Sequence, residues 1–309
     1  MTHNQFMFEQ NVERPLSESA PVQIIAGGMG GSASAAMALA YLGAVPEVIV
    51  HETYDLPKRA PGDALYLAVS YSGSTEETLS FAEAVMQKNL PLAAVTSGGA
   101  LTDFARKNAL PLSLVPTSLV PRNALPEMLA AELALLGKTE LLSELPDAIP
   151  SADSIGNEAS ALAEALRDRT PIFYCSERNV LPARIGKMFW NETAKLPAFV
   201  SIVPARNHEE LQGFDPSGGM NGRFCVVLIR DVEDDERVSR RLSVIEALLP
   251  EMHLPVFSID LKGATPLERL IRFWRLVHEA AKSAAALRGV DPDTNPITDE
   301  FKTRLARQH

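Results

Sequence analysis

The apolar run Ala64-Leu65-Tyr66-Leu67-Ala68-Val69 passes without a break into Ser70-Tyr71-Ser72-Gly73-Ser74-Thr75-Glu76-Glu77-Thr78. A continuous apolar run of that length reads as a strand buried on both faces, which belongs to a parallel sheet. Acids at Glu76 and Glu77, behind a Ser74 or Thr75 cap, open a helix that reaches Lys88. Strand, polar loop and helix in this order commit the chain to an α/β fold. The junction also has a chemistry. A helix N-terminus presents unpaired backbone N–H groups and the positive end of a dipole. Four hydroxyls, on Ser70, Ser72, Ser74 and Thr75, add donors without charge. Together they form a cradle for a phosphate group, with Ser70, Ser72 and Thr75 assigned to it. No lysine follows Gly73, so the loop is not of the Walker A type. A small phosphorylated ligand is expected, not a nucleoside triphosphate with magnesium. Capping a helix needs one hydroxyl and leaves the rest of the cluster unexplained.

The same alternation runs through the first half. Val22–Ala26 reads as a strand, Gly27-Gly28-Met29-Gly30-Gly31-Ser32 as a glycine turn, and Ala33–Leu42 as a helix. Val48–Val50 and Leu92–Val95 supply further strands, the latter ending at Thr96-Ser97-Gly98-Gly99. Gly30, Gly31 and Ser32 would let the backbone approach a ligand closely. The turn also fits G-x-G-x-x-A, and Glu52 follows a strand where a dinucleotide site places its ribose-binding acid. A dinucleotide fold has no use for a second hydroxyl loop, and the second half shows no hydride-transfer constellation. Two loops converging at the carboxyl edge of one sheet would instead enclose one ligand.

Leu141–Ser154 carries two prolines among polar residues, and the boundary is placed there, giving domains 1–150 and 151–309. A chain of 309 residues has room for both. The alternation then restarts with strands at Ile172–Cys175, Cys225–Arg230 and Val256–Ile259, and helices at Arg184–Lys195 and Pro266–Arg288. The halves read as a duplicated α/β unit in which only the first keeps the phosphate-type loop. A net charge of -10 argues against nucleic acid as a partner. No apolar stretch is long enough to span a bilayer, and Met1–Gln5 lacks the pattern of a signal peptide, so a cytoplasmic protein is expected. Cys175 and Cys225 read as reduced core thiols. His3, His51, His208, His253, His278 and His309 form no metal-binding cluster, so no metal is expected.

Five segments remain to be read together: Gly28–Ser32, Tyr54-Asp55-Leu56-Pro57, Ala68–Leu79, Asn191-Glu192-Thr193-Ala194-Lys195-Leu196-Pro197-Ala198-Phe199, and Asn207-His208-Glu209-Glu210-Leu211. In order and spacing they resemble the SIS-domain sugar-phosphate isomerases, and within these the bifunctional phosphoglucose/phosphomannose isomerase family. The resemblance implies two SIS domains, each a parallel five-stranded sheet flanked by helices in a flavodoxin-like three-layer sandwich. It implies a homodimer with the active site near the subunit interface. It implies interconversion of glucose 6-phosphate, and of mannose 6-phosphate, with fructose 6-phosphate through a cis-enediol, without metal or organic cofactor. Such an activity belongs to glycolysis or gluconeogenesis.

Roles follow from the same resemblance. Glu192 matches the catalytic glutamate, the base that moves a proton between C1 and C2; a lone helix glutamate would otherwise be a solvated charge. His208 matches the acid–base group of ring opening, which reaches the site from the partner subunit; the bland alternative is a loop histidine bonded to Glu209 or Glu210. Lys302, in Asp299-Glu300-Phe301-Lys302, matches a lysine that assists ring opening, against a plain helix charge. Arg122, in Val120-Pro121-Arg122-Asn123-Ala124, would stabilise the enediolate, against a salt bridge at a domain edge. Two departures stand out. Ser32-Ala33-Ser34-Ala35-Ala36 is small where the family carries bulkier and acidic residues. The small hydroxyl residue linked to mannose activity falls on Thr294 or Asn295, and an amide there would orient substrate or water differently. Rival readings are a non-catalytic sugar-phosphate-binding regulatory protein, which need not keep Glu192 with His208, and a nucleotide-dependent enzyme built on Gly28–Ala33.

Overall fold

The computed structural model describes residues 10–16, 21–117, 119–219 and 221–307. Met1–Gln5, His3 and His309 lie outside them. One compact unit comprises Met1–Ala152 and Leu261–Phe273; the other comprises Asp153–Asp260 and Trp274–His309.

The first unit is built from β1 (Asn11–Glu13), β2 (Gln23–Gly28), α1 (Gly30–Tyr41), β3 (Glu47–His51), β4 (Leu65–Ser70), α2 (Glu76–Gln87), β5 (Leu92–Thr96), α3 (Gly99–Lys107), β6 (Leu112–Leu114), α4 (Leu125–Leu135) and α5 (Thr139–Glu144). The sheet order is β1-β6-β5-β4-β2-β3. β2 to β6 are parallel and wound in the doubly-wound 2-1-3-4-5 order. The expected five-stranded sheet is corrected to six strands, because β1 closes the edge antiparallel to β6. That strand is three residues with an acid at its end, too short and polar to announce itself, and short charged strands are what sheet edges tolerate. Every residue of β4 is buried, as its unbroken apolar run requires. Tyr66, Ala68, Phe81 and Val85 form the centre of the core on one face of this sheet. The buried side of α1 is serine and alanine except for Leu39, which allows close approach of neighbouring backbone.

α4 is buried almost all round and carries two carboxyls into the interior, Glu127 and Glu132. Among the described residues, Glu127 Oε2 and both Glu132 oxygens have no hydrogen-bond partner. Burial pushes the Glu127 carboxyl up to about 7 and Glu132 well above the usual range. Both pKa values are raised in the folded state, so the native chain binds more protons than the unfolded chain between the unfolded carboxylate value and about 7. Stability is therefore highest at the acid end of that window and falls as pH rises through it. Glu127→Gln removes this dependence at one site. Between pH 5 and 8 the variant should lose about 3 kcal/mol less stability than the native chain, read by urea unfolding at both pH values. Parallel losses in the two proteins would show that Glu127 does not stay protonated in the fold.

The second unit contains α6 (Ala152–Leu166), β7 (Thr170–Ser176), α7 (Val180–Glu192), β8 (Phe199–Val203), β9 (Phe224–Arg230), α8 (Glu236–Glu251), β10 (Val256–Asp260), α9 (Pro266–Arg288) and α10 (Pro296–Ala306), with the start of α9 belonging to the first unit. Its sheet is parallel in the order β10-β9-β7-β8. This is the winding of the first sheet without its last strand, so the expected five strands are corrected to four. After β10 the chain turns at Gly263 straight into α9 and offers no fifth apolar run. α7 starts earlier than its sequence suggested, with Pro182 in the first turn where no N–H is missed. It ends at Glu192, because Lys195 turns the chain with φ 57°. Gly186 lets α7 press onto β7: a Cβ there would stand 2.7 Å from the Phe173 ring. Trp190, Phe189, Trp274 and His278 continue that core in edge-on and stacked contacts. Cys175 and Cys225 are free, buried thiols pushed up to about 12 by desolvation. Among the described residues no helix is long and apolar enough to cross a membrane.

Candidate functional site

In the first unit the loops after β2 and β4 leave adjacent strands, where Gly28 pairs with Val69 and the winding reverses direction. Open parallel sheets bind their ligands in the crevice at such a point. The hydroxyls predicted to hold phosphate are brought together there. Thr75 Oγ1 lies 2.9 Å from Ser70 Oγ and 3.5 Å from Ser72 Oγ. Thr75 occupies the N-cap position of α2, yet its side chain makes no capping bond. The cluster is thus not explained by capping. Ser70 is buried and accepts from the Gly73 N–H at 3.1 Å, while Ser72 is exposed and accepts from the Ser74 N–H at 3.3 Å.

The second loop leans on the first. Ser32 Oγ accepts from the Tyr71 N–H at 3.0 Å, so this serine joins the two loops besides flanking their opening. Tyr71 Oη donates to the Pro116 carbonyl at 2.7 Å and accepts from the Leu119 N–H at 2.9 Å. Pro116 and Leu119, shortly before the 3₁₀ turn Pro121–Asn123, are thereby tied to the loop after β4. Gly31 then meets this turn backbone to backbone: a Cβ there would be 3.1 Å from the Pro121 carbonyl oxygen and 3.4 Å from Arg122 Cα. Gly30, Gly31, Ser32, Ser70, Ser72, Thr75 and Arg122 therefore share one region of the first unit, with Arg122 buried at 2 % exposure. A third loop, Thr96–Gly99, backs the cradle. Ser97 donates twice to the Tyr71 carbonyl, and the Leu101 N–H donates to the Gly73 carbonyl at 2.8 Å.

The matching crevice of the second unit is filled by its own side chains. Arg178 pairs with Asp231 and Glu233, and Asn179 Nδ2 donates to Ser176 and Asp234. The acids after β9 thus engage the Arg178 cation, and a short 3₁₀ turn stands after β7 in place of a hydroxyl loop.

Glu192 is the last residue of α7, at the amino edge of the second sheet. It lines a cavity of about 620 Å³ with Asn191, Lys195, Thr294, Asn295 and Ile297 among its walls. Asn295 Nδ2 donates to Glu192 Oε2 at 3.3 Å. The neighbouring motif residues are structural: Asn191 Oδ1 accepts from the Ala198 N–H at 2.8 Å, and Ala194 is fully buried. Of the two residues left open for the hydroxyl position, Asn295 presents its side chain to Glu192, and Thr294 presents its carbonyl to Lys195. Lys302 lies further along α10, exposed and outside the lining of this cavity.

His208 ends a 3₁₀ turn that follows β8, so it stands at the carboxyl edge of the same sheet, exposed. Within one chain the second unit does not bring His208 and Glu192 together; the five-residue β8 separates their edges by about 16 Å. The acids after His208 are engaged elsewhere. Glu209 pairs with Arg206, and Glu210 Oε2 accepts from Tyr174 Oη at 2.9 Å and from Ser201 Oγ. Burial pushes the Tyr174 phenol up, which keeps it a donor to Glu210. Tyr174 on β7 and Ser201 on β8 thus anchor the His208 turn to the sheet. Neither was legible as a site residue, since each sits in an ordinary strand pattern.

Residues 155–305 match the family described as bacterial phospho-glucose isomerase C-terminal SIS domain. Over 266 residues the chain is 31% identical to the bifunctional phosphoglucose/phosphomannose isomerase of Pyrobaculum aerophilum, covering 84% of this chain and 78% of the relative. Over 298 residues it is 30% identical to the protein of that name from Aeropyrum pernix, covering 90% and 87%. Among solved structures, a hypothetical protein of Thermus thermophilus superposes with a TM-score of 0.73 at 20% identity, over 93% of this chain and 84% of that one, which places the fold. With the motif segments and the cradle already in view, these identities over most of both chains show that the protein belongs to the bifunctional phosphoglucose/phosphomannose isomerase family.

Proposed function

We infer that the protein interconverts glucose 6-phosphate and mannose 6-phosphate with fructose 6-phosphate. The observation that carries this reading is the hydroxyl triad Ser70, Ser72 and Thr75 at the switch point, in a chain of this family. Neutral donors and two helix N-termini hold the 6-phosphate without a metal ion. Ring opening delivers a proton to the ring oxygen and removes one from the anomeric hydroxyl, the work assigned to His208 and Lys302. Glu192 then takes the C2 proton of the aldose. The C–H electron pair becomes the C1=C2 bond of a cis-enediol, and the carbonyl oxygen gathers the negative charge beside the Arg122 guanidinium. Returning the proton to C1 gives the ketose. Returning it to either face of C2 gives the two epimers.

The separation of Glu192 and His208 on opposite sheet edges supports a homodimer in which a second copy supplies the histidine. The phosphate loop is assigned to an N-terminal domain, 1–150, and the base and histidine to a C-terminal domain, 151–309. The test is direct. Purified protein incubated with fructose 6-phosphate, without added metal, should form glucose 6-phosphate and mannose 6-phosphate, separated by anion-exchange chromatography. Tight hexose phosphate binding with no product and no exchange of the C2 proton would reduce the protein to a sugar-phosphate sensor.

A further inference from the structure

The N-E-T-A-K segment keeps a lysine to which neither the reaction nor the cradle assigns any work. Its surroundings do. The last carbonyls of a helix have no partner within it, and a cation at that end is favoured by the dipole. Lys195 sits three residues past the end of α7 in a left-handed backbone conformation, φ 57°, which turns the chain back over the helix terminus. Its ammonium donates to the Glu192 carbonyl and to the Thr294 carbonyl, and lies 3.4 Å from Asn295 Oδ1. One cation thus ties the end of α7 to the turn that precedes α10. That turn is also braced from within, where the Asp293 N–H donates to Asp291 Oδ1 at 2.9 Å.

The amide of Asn295 is polar in one direction. Its oxygen faces the Lys195 ammonium, so its nitrogen faces Glu192, 3.3 Å from Oε2. A serine or threonine hydroxyl could either donate or accept at this place. An amide oriented by a cation can only donate. We propose that Lys195 and Asn295 form a two-step link that positions the Glu192 carboxylate, Lys195 orienting the Asn295 amide and the amide fixing the rotamer of the carboxylate. Both act through the Glu192 carboxylate and are positioning residues. The inference rests on Glu192 being the base of the isomerisation.

Lys195→Met and Asn295→Ala should each lower kcat for fructose 6-phosphate about tenfold or more, with KM within about threefold, because the phosphate is anchored elsewhere. The double variant should be no worse than the poorer single one, since both cut the same link. Asn295→Ser, which keeps a donor, should recover part of the loss; Asn295→Asp, which sets a carboxylate against Glu192, should be slower than Asn295→Ala. In a Glu192→Gln background neither Lys195→Met nor Asn295→Ala should reduce the residual rate further. Lys195→Met also removes a helix-end clamp and can weaken folding, so Asn295→Ala, at a half-buried position where the side chain makes no capping bond, is the variant to trust. Native kcat in Asn295→Ala, or losses that multiply, or losses that persist undiminished beside Glu192→Gln, would overturn the link while leaving the base in place. Native turnover in Glu192→Gln alone would remove the base, and the link with it.

Discussion

Replacing Glu192 with glutamine should lower kcat for fructose 6-phosphate about a thousandfold while KM stays within about threefold of the native value. Glutamine has the volume of glutamate, and its carbonyl oxygen can still accept from Asn295 Nδ2. The geometry of the cavity is kept; the ability to take a proton is not. The loss therefore falls on the transition state, about 4 kcal/mol of it. A glutamate that merely ended a helix in solvent would show nothing of the kind, since exposed substitutions of this sort stay within about 0.5 kcal/mol. Two readings separate the cases: steady-state kcat, and loss of deuterium label from C2 of glucose 6-phosphate. A variant that retains a tenth of native turnover, or that exchanges C2 at the native rate, ends the assignment.

The parts of this fold written in short range were legible in the chain. The run Ala64–Val69 has no polar residue to interrupt it, so its burial on both faces could be read directly, and the hydroxyls that start at Ser70, the last residue of β4, could be read as one cluster. α9, from Pro266 to Arg288, carries its own start and length. The edges were not legible. β1 and β6 are three residues each, and what makes them strands is the pairing of Asn11 with Leu114, set far apart in sequence. β8 is bounded by Pro197 and Pro204 and begins with an exposed phenylalanine, so its pattern resembles a loop. The site divides along the same line. Ser70, Ser72 and Thr75 are neighbours in sequence and were found together. Asn295 reaches Glu192 across 103 positions, and Glu210 reaches Tyr174 across 36, contacts that no local pattern encodes.

The second large effect belongs to Gly73, and its size comes from collision more than from conformation. Gly73 adopts φ 65°, which costs an alanine about 1 kcal/mol wherever it occurs. Gly43, at φ 63° in the turn after α1, shares that cost but has nothing within 4 Å of where its Cβ would be. At Gly73 the same atom would stand 1.7 Å from the Gly98 carbonyl oxygen and 2.7 Å from Thr96 Oγ1. Neither neighbour is a flexible tip: Gly98 is backbone, and Thr96 Oγ1 is already donating to that carbonyl at 2.9 Å. The loops after β4 and β5 must part, and the Gly73 N–H contact to Ser70 Oγ goes with them. Gly73→Ala should therefore lose about 3 kcal/mol or more of stability, against about 1 kcal/mol for Gly43→Ala. It should raise KM for fructose 6-phosphate more than about thirtyfold, whereas Gly43→Ala leaves KM unchanged, because only the first disturbs the oxygens proposed to hold the phosphate. Urea unfolding and steady-state kinetics on the pair separate the two costs. Equal stability losses would mean that positive φ alone sets the cost at both positions. A normal KM in Gly73→Ala would mean that the phosphate is held somewhere other than residues 70–75.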